Sequence, residues 1–375
     1  MVRRMPAAGV WVGLAACCHA QPTFNDVVIG AVPRDDGGTV TLMIDVYTPA
    51  GAPGPTPVVL WVHGGGWQGG TYNQVPTFVL ELLGEGVAVA SARYRLSGEA
   101  IFPAQIHDVK GAVRFLRARA GQFNIDPARI ACWGSSAGGH LVSLLGTSAG
   151  VAAAEGTSGG NASHSSGVMA VVDYYGPSDL INMQLDVRTP PGSAINHDAP
   201  TSAESRLLGF DGAGEGIGVL RANLTNPNPP FPALVALATL CNPITHVTPD
   251  DPAFLVVHGT ADTTVPIGQS ERMAGALSAA GVAHEFIQVA GAGHGGFSLS
   301  VHESARAFLI AQFTRCDADY TGDGNVDQDD VACIAQAVAG DTSCTARDPD
   351  FSRDGNVDQN DIEAIAQVVA GGACP

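Results

Sequence analysis

The sequence predicts an α/β fold: a mainly parallel, doubly wound sheet with helices on both faces, followed by a small all-α module. Three observations predict it. Short apolar runs alternate with stretches of helical spacing from about residue 25 to residue 313. Those runs are unbroken rather than alternating, as strands covered on both faces require. The composition then changes abruptly, because residues 315–375 hold thirteen acids against Arg315, Arg347 and Arg353, a net −10 of the chain's −18.

Val40–Tyr47 alternates like an early strand, and Val58–Val62 is a continuous apolar run. Val87–Ala92 is another. Ile106, Val109, Val113, Leu116 and Ala120 fall on one stripe, which predicts a helix. Ile130–Trp133 reads as a strand, Gly138–Leu145 as a helix and Met169–Tyr174 as a strand. Phe254–Val257 (strand), Ser270–Ala280 (helix), Glu285–Val289 (strand) and Val301–Phe313 (helix) close the series. Two stretches break the rhythm: Ser148–Gly167 is Gly/Ser-rich and reads as a loop, and Pro177–Pro252 reads as long and irregular. Segments of that length within an α/β domain are usually lids or binding loops.

Charged residues are only 14% of the chain while Gly (47) and Pro (24) are plentiful, which favours a loop-rich enzyme over a helical scaffold. The acidic balance argues against nucleic-acid binding, which needs a basic face. Residues 1–20 read as an export signal: Arg3 and Arg4, an apolar Ala7–Ala16, then Cys18-His19-Ala20 as a cleavage site. Leu14-Ala15-Ala16-Cys17 also fits a lipoprotein signal with Cys17 lipidated, so secretion and lipid anchoring both stand as expectations. No later segment approaches ~20 unbroken apolar residues, so no transmembrane segment is expected. Export permits disulfides. Cys316, Cys333, Cys344 and Cys374 cluster in the tail with three possible connectivities, whereas Cys132 reads as a buried thiol.

Gly134-Ser135-Ser136-Ala137-Gly138 matches G-x-S-x-G between a strand and a helix, the context in which Ser136 would be a nucleophile. Its neighbours are small so that strand and helix can approach. His63-Gly64-Gly65-Gly66-Trp67 follows the Val58–Val62 strand, and successive glycines can aim N–H groups at one point. Gly65, Gly66 and Ala137 are the expected oxyanion donors, with His63 orienting the loop. Asp262 follows the Phe254–Val257 strand and is the expected acid. His294, in Gly293-His294-Gly295 after the next strand, is the expected base. The order Ser, Asp, His along the chain, each after a strand, is that of serine hydrolases with this topology. His258, His284 and His302 are rivals for the base, but His258 ends a strand before a glycine turn and reads as buried structure, His284 precedes its strand and His302 sits on the closing helix; Asp250 and Asp251 rival the acid but precede their strand.

From Asp45 to Phe313 the chain resembles the α/β-hydrolases of the hormone-sensitive-lipase-like esterases, especially bacterial acetylxylan and feruloyl esterases. The resemblance rests on Asp45-Val46-Tyr47, His63–Trp67, Ala92-Arg93-Tyr94-Arg95-Leu96, Trp133–His140, Asp173–Asp179, His258–Asp262 and Gly293–Gly295. It implies ester hydrolysis through an acyl-enzyme with no catalytic cofactor, on acetyl or feruloyl groups of polysaccharide. A general short-chain carboxylesterase, an amidase or a peptidase of the same fold is the alternative. A catalytically degenerate, calcium-dependent binding protein is the alternative of another class.

The tail repeats itself at an offset of 31 residues, 319–330 recurring as 350–361. Each copy carries oxygen ligands at loop positions 1, 3, 5, 9 and 12 and Gly at 6, a pattern for calcium. They are Asp319, Thr321, Asp323, Asp327 and Asp330 with the Asn325 carbonyl, then Asp350, Ser352, Asp354, Asp358 and Asp361 with the Asn356 carbonyl. The duplicated loop with its exit helix resembles a type I dockerin, which implies two structural Ca2+ ions and a cohesin-like scaffold as partner. Where that family carries a Ser/Thr pair, this chain has Gln328-Asp329 and Gln359-Asn360. The expected organisation is therefore a signal at 1–20, a hydrolase domain at 25–314 and a calcium-loop module at 315–375.

Overall fold

Val58-Val59-Leu60-Trp61-Val62 stands near the middle of an eight-stranded sheet, and each of these side chains is buried. In this computed structural model the described residues are 23–188, 195–314, 328–341 and 357–369. The expected signal, with Cys17, lies outside them. The strands are β1 (Phe24–Pro33), β2 (Thr39–Tyr47), β3 (Thr56–Val62), β4 (Ala88–Ala92), β5 (Ile125–Ser135), β6 (Ala170–Tyr174), β7 (Ala253–Gly259) and β8 (His284–Val289). Their order is β1-β2-β4-β3-β5-β6-β7-β8. β2 pairs antiparallel with β1 and β4, and every other pairing is parallel. This is the α/β-hydrolase fold. The hairpin strand β1 was not among the strands read from the sequence, since its outward face leaves the apolar run broken.

Helix α1 (Ala104–Ala118) buries Ile106, Val109, Val113 and Leu116, the stripe its spacing predicts. Helix α2 (Ala137–Thr147) is buried along its whole length, consistent with a sequence that offers no polar face. Burying one Leu or Val side chain of this kind contributes roughly 1.5–3 kcal/mol.

The Ser148–Gly167 stretch is fastened to α1 by charges, while its Ala154 joins the apolar core. Lys110 Nζ donates to Glu155 Oε1 and to Ser148 O, both at 2.6 Å, and Arg114 Nη1 donates to Glu155 Oε2 at 3.1 Å. Ser166 Oγ adds a hydrogen bond to Glu155 at 2.8 Å. Beside them Arg95 grips Asp108 through Nε (2.8 Å) and Nη2 (2.7 Å), and Ser158 Oγ donates to the same carboxylate at 2.6 Å.

The 177–252 stretch is less irregular than its composition suggests. It contains α3 (Ala203–Leu207) and α4 (Phe231–Cys241). Prolines signalled a break there, but Pro230 caps α4 and Pro232 sits in its first turn, where a missing N–H costs nothing. Helix α5 (Gly268–Ala280) precedes β8, and α6 (Leu299–Phe313) follows it.

The chain divides into two compact units at Arg306/Ala307, inside α6 and ahead of the 314/315 change in composition. In the second unit α7 (Gln328–Val338) and α8 (Gln359–Val369) bury Cys333, Ile334 and Ile365 against one another. Cys333 is disulfide-bonded, its partner lying outside the described residues. Asp330 and Asp361, third in their helices, are both fully buried. Asp361 accepts the Asp358 N–H at 2.8 Å, and Asp358 accepts the Asn360 N–H at 2.8 Å. The other expected calcium ligands (Asp319, Thr321, Asp323, Asn325, Asp327, Asp350, Ser352, Asp354 and Asn356) lie outside the described residues. Among the described residues no helix is long and apolar enough to cross a membrane.

Candidate active site

β5 ends at Ser135 and α2 begins at Ala137, so Ser136 occupies the turn between them at φ 55°, ψ −122°. A non-glycine residue avoids that region, and holding it costs of order 1–3 kcal/mol. The turn is too crowded for side chains on its glycines. A Cβ on Gly134 would lie 2.3 Å from Gly138 O, and one on Gly138 would lie 2.0 Å from Val62 O. Ser136 N–H donates to Tyr174 O at 2.8 Å, which ties the turn to β6.

Ser136 Oγ is 3.0 Å from His294 Nε2, and His294 Nδ1 is 2.7 Å from Asp262 Oδ2. With the proton on Nδ1, the imidazole donates to the carboxylate and accepts from the serine hydroxyl. Asp262 follows β7, and His294 lies in the loop after β8. Parallel pairing of β7 with β8 brings both loops to the same edge as the β5 turn. The His294 ring also rests against Tyr175, centroids 4.5 Å apart. Tyr175 is itself at φ 46° and donates its N–H to Val257 O at 2.8 Å.

The Asp262 side chain is completely buried. Burial alone would raise its pKa, but hydrogen bonds from His258, His294 and the Thr264 N–H outweigh it and hold the carboxyl well below the usual range. Oδ1 accepts from the N–H groups of Thr264 (2.8 Å) and Val265 (3.0 Å). Thus the acid stays ionised and fixed in orientation.

Gly64 lies against the serine turn, since a Cβ there would be 2.7 Å from Ser135 O and 3.2 Å from Ser136 Cβ. Gly65 and Gly66 follow at φ 118° and 58°, and a Cβ on Gly65 would strike Gly69 O at 2.3 Å. Among the described residues their N–H groups donate to no backbone acceptor. Ala137, first residue of α2, has an N–H with no intrahelical partner. Gly64 thus seats the glycine loop against the serine turn, and Gly65, Gly66 and Ala137 stay the expected donors. His63 turns inward, stacking on Tyr94 (centroids 4.4 Å) with Nδ1 2.8 Å from Gly64 O, and burial lowers its pKa. Segment 196–207 covers this loop: Ala203 Cβ lies 3.5 Å from where a Gly66 Cβ would stand, and Arg206 donates to Gln68 at 2.7 Å.

Of the rival histidines, His284 stands at the first residue of β8, at the opposite end of the sheet. His302 stacks on Phe78 at 3.9 Å and pairs through Nδ1 with Tyr174 Oη at 3.1 Å. Asp250 and Asp251 precede β7.

Two contributors were not read from the sequence. His258 reads as buried structure, and it is buried, yet its Nε2 also reaches Asp262 Oδ2 at 3.3 Å. Asp173, at the end of β6, accepts from Ser143 Oγ (2.9 Å) and the Gly176 N–H (2.8 Å), and burial raises its pKa to about 6. It props the first turns of α2, because a Cβ on Gly139 would meet its Oδ1 at 2.4 Å. An Asp between apolar residues and an aromatic pair was the available signal.

The fold and the site define the class: an α/β-hydrolase with a Ser-His-Asp arrangement. The chain belongs to the BD-FAE family, whose model matches residues 44–277. Esterase LipQ of Mycobacterium tuberculosis is 30% identical over 254 residues, 67% of this chain and 53% of that protein. The chain thus spans about half the length of the curated relatives it matches. Among solved structures, a truncated carbohydrate esterase from gut microbiota superposes with a TM-score of 0.64 at 29% identity, over 79% of this chain and 99% of that one. A bifunctional GH43-CE protein of Bacteroides eggerthii does so at 0.62 and 35%, over 72% of this chain and 33% of that one.

Proposed function

We propose that the protein is a carboxylic-ester hydrolase that works through an acyl-enzyme on Ser136. The observation that carries the reading is the unbroken run from Ser136 Oγ through His294 to Asp262, at 3.0 and 2.7 Å, with the glycine loop packed against the serine turn at Gly64. His294 Nε2 takes the hydroxyl proton as Oγ attacks the ester carbonyl carbon. The carbonyl oxygen becomes an oxyanion held by the N–H groups of Gly65, Gly66 and Ala137. The C–O bond to the alcohol breaks, and His294 returns the proton to the leaving oxygen. Water then repeats the sequence on the acyl-serine, releasing the acid.

The ester is one carried by a carbohydrate, an acetyl or feruloyl group on polysaccharide. The similar structure described as a truncated form of a carbohydrate esterase supports this choice. Residues 315–375 form a calcium-loop module that docks the enzyme to a cohesin-like scaffold outside the cell. The sequence repeat and the equivalent buried Asp330 and Asp361 support that part. The experiment is a comparison of acetylated xylan, methyl ferulate and p-nitrophenyl esters of increasing chain length. Release of acetate or ferulate from the carbohydrate substrates is expected, and failure on all esters would overturn the reading.

A further inference from the structure

The two glycine motifs each end in an aromatic residue, and these two residues meet in the interior. Trp67 is 2% exposed and His140 is fully buried. Trp67 Nε1–H donates to His140 Nδ1 at 3.2 Å, with the ring planes at 89°. His140 Nε2 lies 2.7 Å from Cys241 O, the carbonyl of the last residue of α4. One tautomer alone satisfies both contacts: the proton on Nε2, donated to Cys241, and the lone pair on Nδ1, accepting from the indole.

Trp67 directly follows Gly66 and holds φ 57°, a conformation unusual for a bulky residue. The loop before it is three glycines, which can adopt many backbone conformations at little cost. Useful oxyanion donors must point at one place before the substrate arrives. The Trp67 indole is the first side chain after those glycines, and His140 fixes where it lies.

We propose that His140 is a positioning residue for the oxyanion loop. Through Trp67 it sets the Gly65 and Gly66 N–H groups, and through the Cys241 carbonyl it ties that setting to the end of α4. The same helix that starts at the serine turn therefore anchors the opposing donors. This proposal rests on the ester-hydrolase reading.

The test uses the full chain, with kcat and KM for p-nitrophenyl acetate and Ki for an arylboronic acid that forms a tetrahedral adduct on serine. His140→Leu and Trp67→Phe are each expected to lower kcat by roughly ten- to a hundredfold. KM should stay within about threefold, and boronate Ki should rise in step with the loss in kcat. The double variant should be no worse than the worse single one, because both break the same link. His140→Asn keeps an acceptor near the Nδ1 position and should recover part of the loss. Trp67→Phe removes the donor together with the pyrrole ring and leaves His140 in place, so, once circular dichroism shows it folded, it decides the matter if His140→Leu does not fold. Unchanged kcat and Ki in folded Trp67→Phe, or multiplicative losses in the double variant, would overturn the proposal while wild-type turnover leaves the ester-hydrolase reading standing. A wild type inactive on every ester would overturn both.

Discussion

His258 Nε2 lies 3.3 Å from Asp262 Oδ2, the same carboxylate oxygen that His294 meets at 2.7 Å. His258 is held by Val265 O at Nε2 (2.9 Å) and by Ser270 Oγ at Nδ1 (2.7 Å), so it is a fixed donor rather than a mobile base. A hydrogen bond to a charged group contributes about 1.5–3 kcal/mol. Replacing His258 by Phe should lower kcat roughly tenfold with KM little changed, while Gln, which can retain an N–H, should lose less. Steady-state kinetics on a soluble ester checks this, and equal losses in both variants would contradict it.

Ser136 combines an expected catalytic role with a strained backbone, and the two separate by substitution. Ser136→Ala should lower kcat by about four to six orders of magnitude. Ser136→Gly should be as inactive but more stable than Ser136→Ala by about 1 kcal/mol, since glycine relieves the positive φ. Urea midpoints of the two variants give the answer.

Lys110 has no exposed side-chain surface, and Glu155 is its partner. Truncating Glu155 to Ala leaves a buried ammonium and an arginine without their counter-charge. Such a change costs about 3–5 kcal/mol. The lower end is expected here because the Glu155 side chain is 30% exposed. A fall of several degrees in Tm would be measured, and Glu155→Gln should recover little of it.

Burial lowers the His140 pKa from 6.5 to about 4. The unfolded chain therefore binds this proton more readily between those values, and the folded state loses stability as pH falls from 6.5 towards 4. The contribution is about 3 kcal/mol over that window. His63, also lowered by burial, acts in the same direction. Asp173 opposes them, because its pKa is raised from 3.8 to about 6 and its folded state favours the proton as pH falls. Denaturation at pH 7 and pH 4.5 should show a smaller acid penalty in His140→Leu than in the wild type.

Calcium removal should affect the two ends of the chain differently. Binding to a folded module alone stabilises it by mass action. A chelator should abolish a tail transition in calorimetry and expose residues 315–375 to protease, with turnover of a small ester preserved. Asp319→Ala with Asp350→Ala should mimic it. Loss of small-ester hydrolysis on chelation would contradict this division.

The parallel strands and the order of Ser136, Asp262 and His294 were legible because both depend on local patterns: unbroken apolar runs, small residues and strand-end loops. β1 was not, since register irregularities between Phe24 and Val27 and between Val28 and Gly30 interrupt its alternation. Helix α4 was hidden by prolines that open a helix as readily as they end one. The contacts of His258 and His140 were invisible for another reason. Each joins residues far apart in the chain (His140 to Cys241, for example), and nothing in local spacing reports which buried histidine meets which partner.

The stretch that covers the glycine loop is also the crossover from the carboxyl end of β6 to the amino end of β7. Neighbouring parallel strands cannot be joined by a short turn. Divergence can lengthen this connection, reshape it or exchange its helices, but cannot delete it without turning β7 over and carrying Asp262 to the wrong edge. The cover over the glycine loop is thus free to vary in content and bound in its two endpoints, and grafts between related enzymes should be cut at Tyr174 and Ala253.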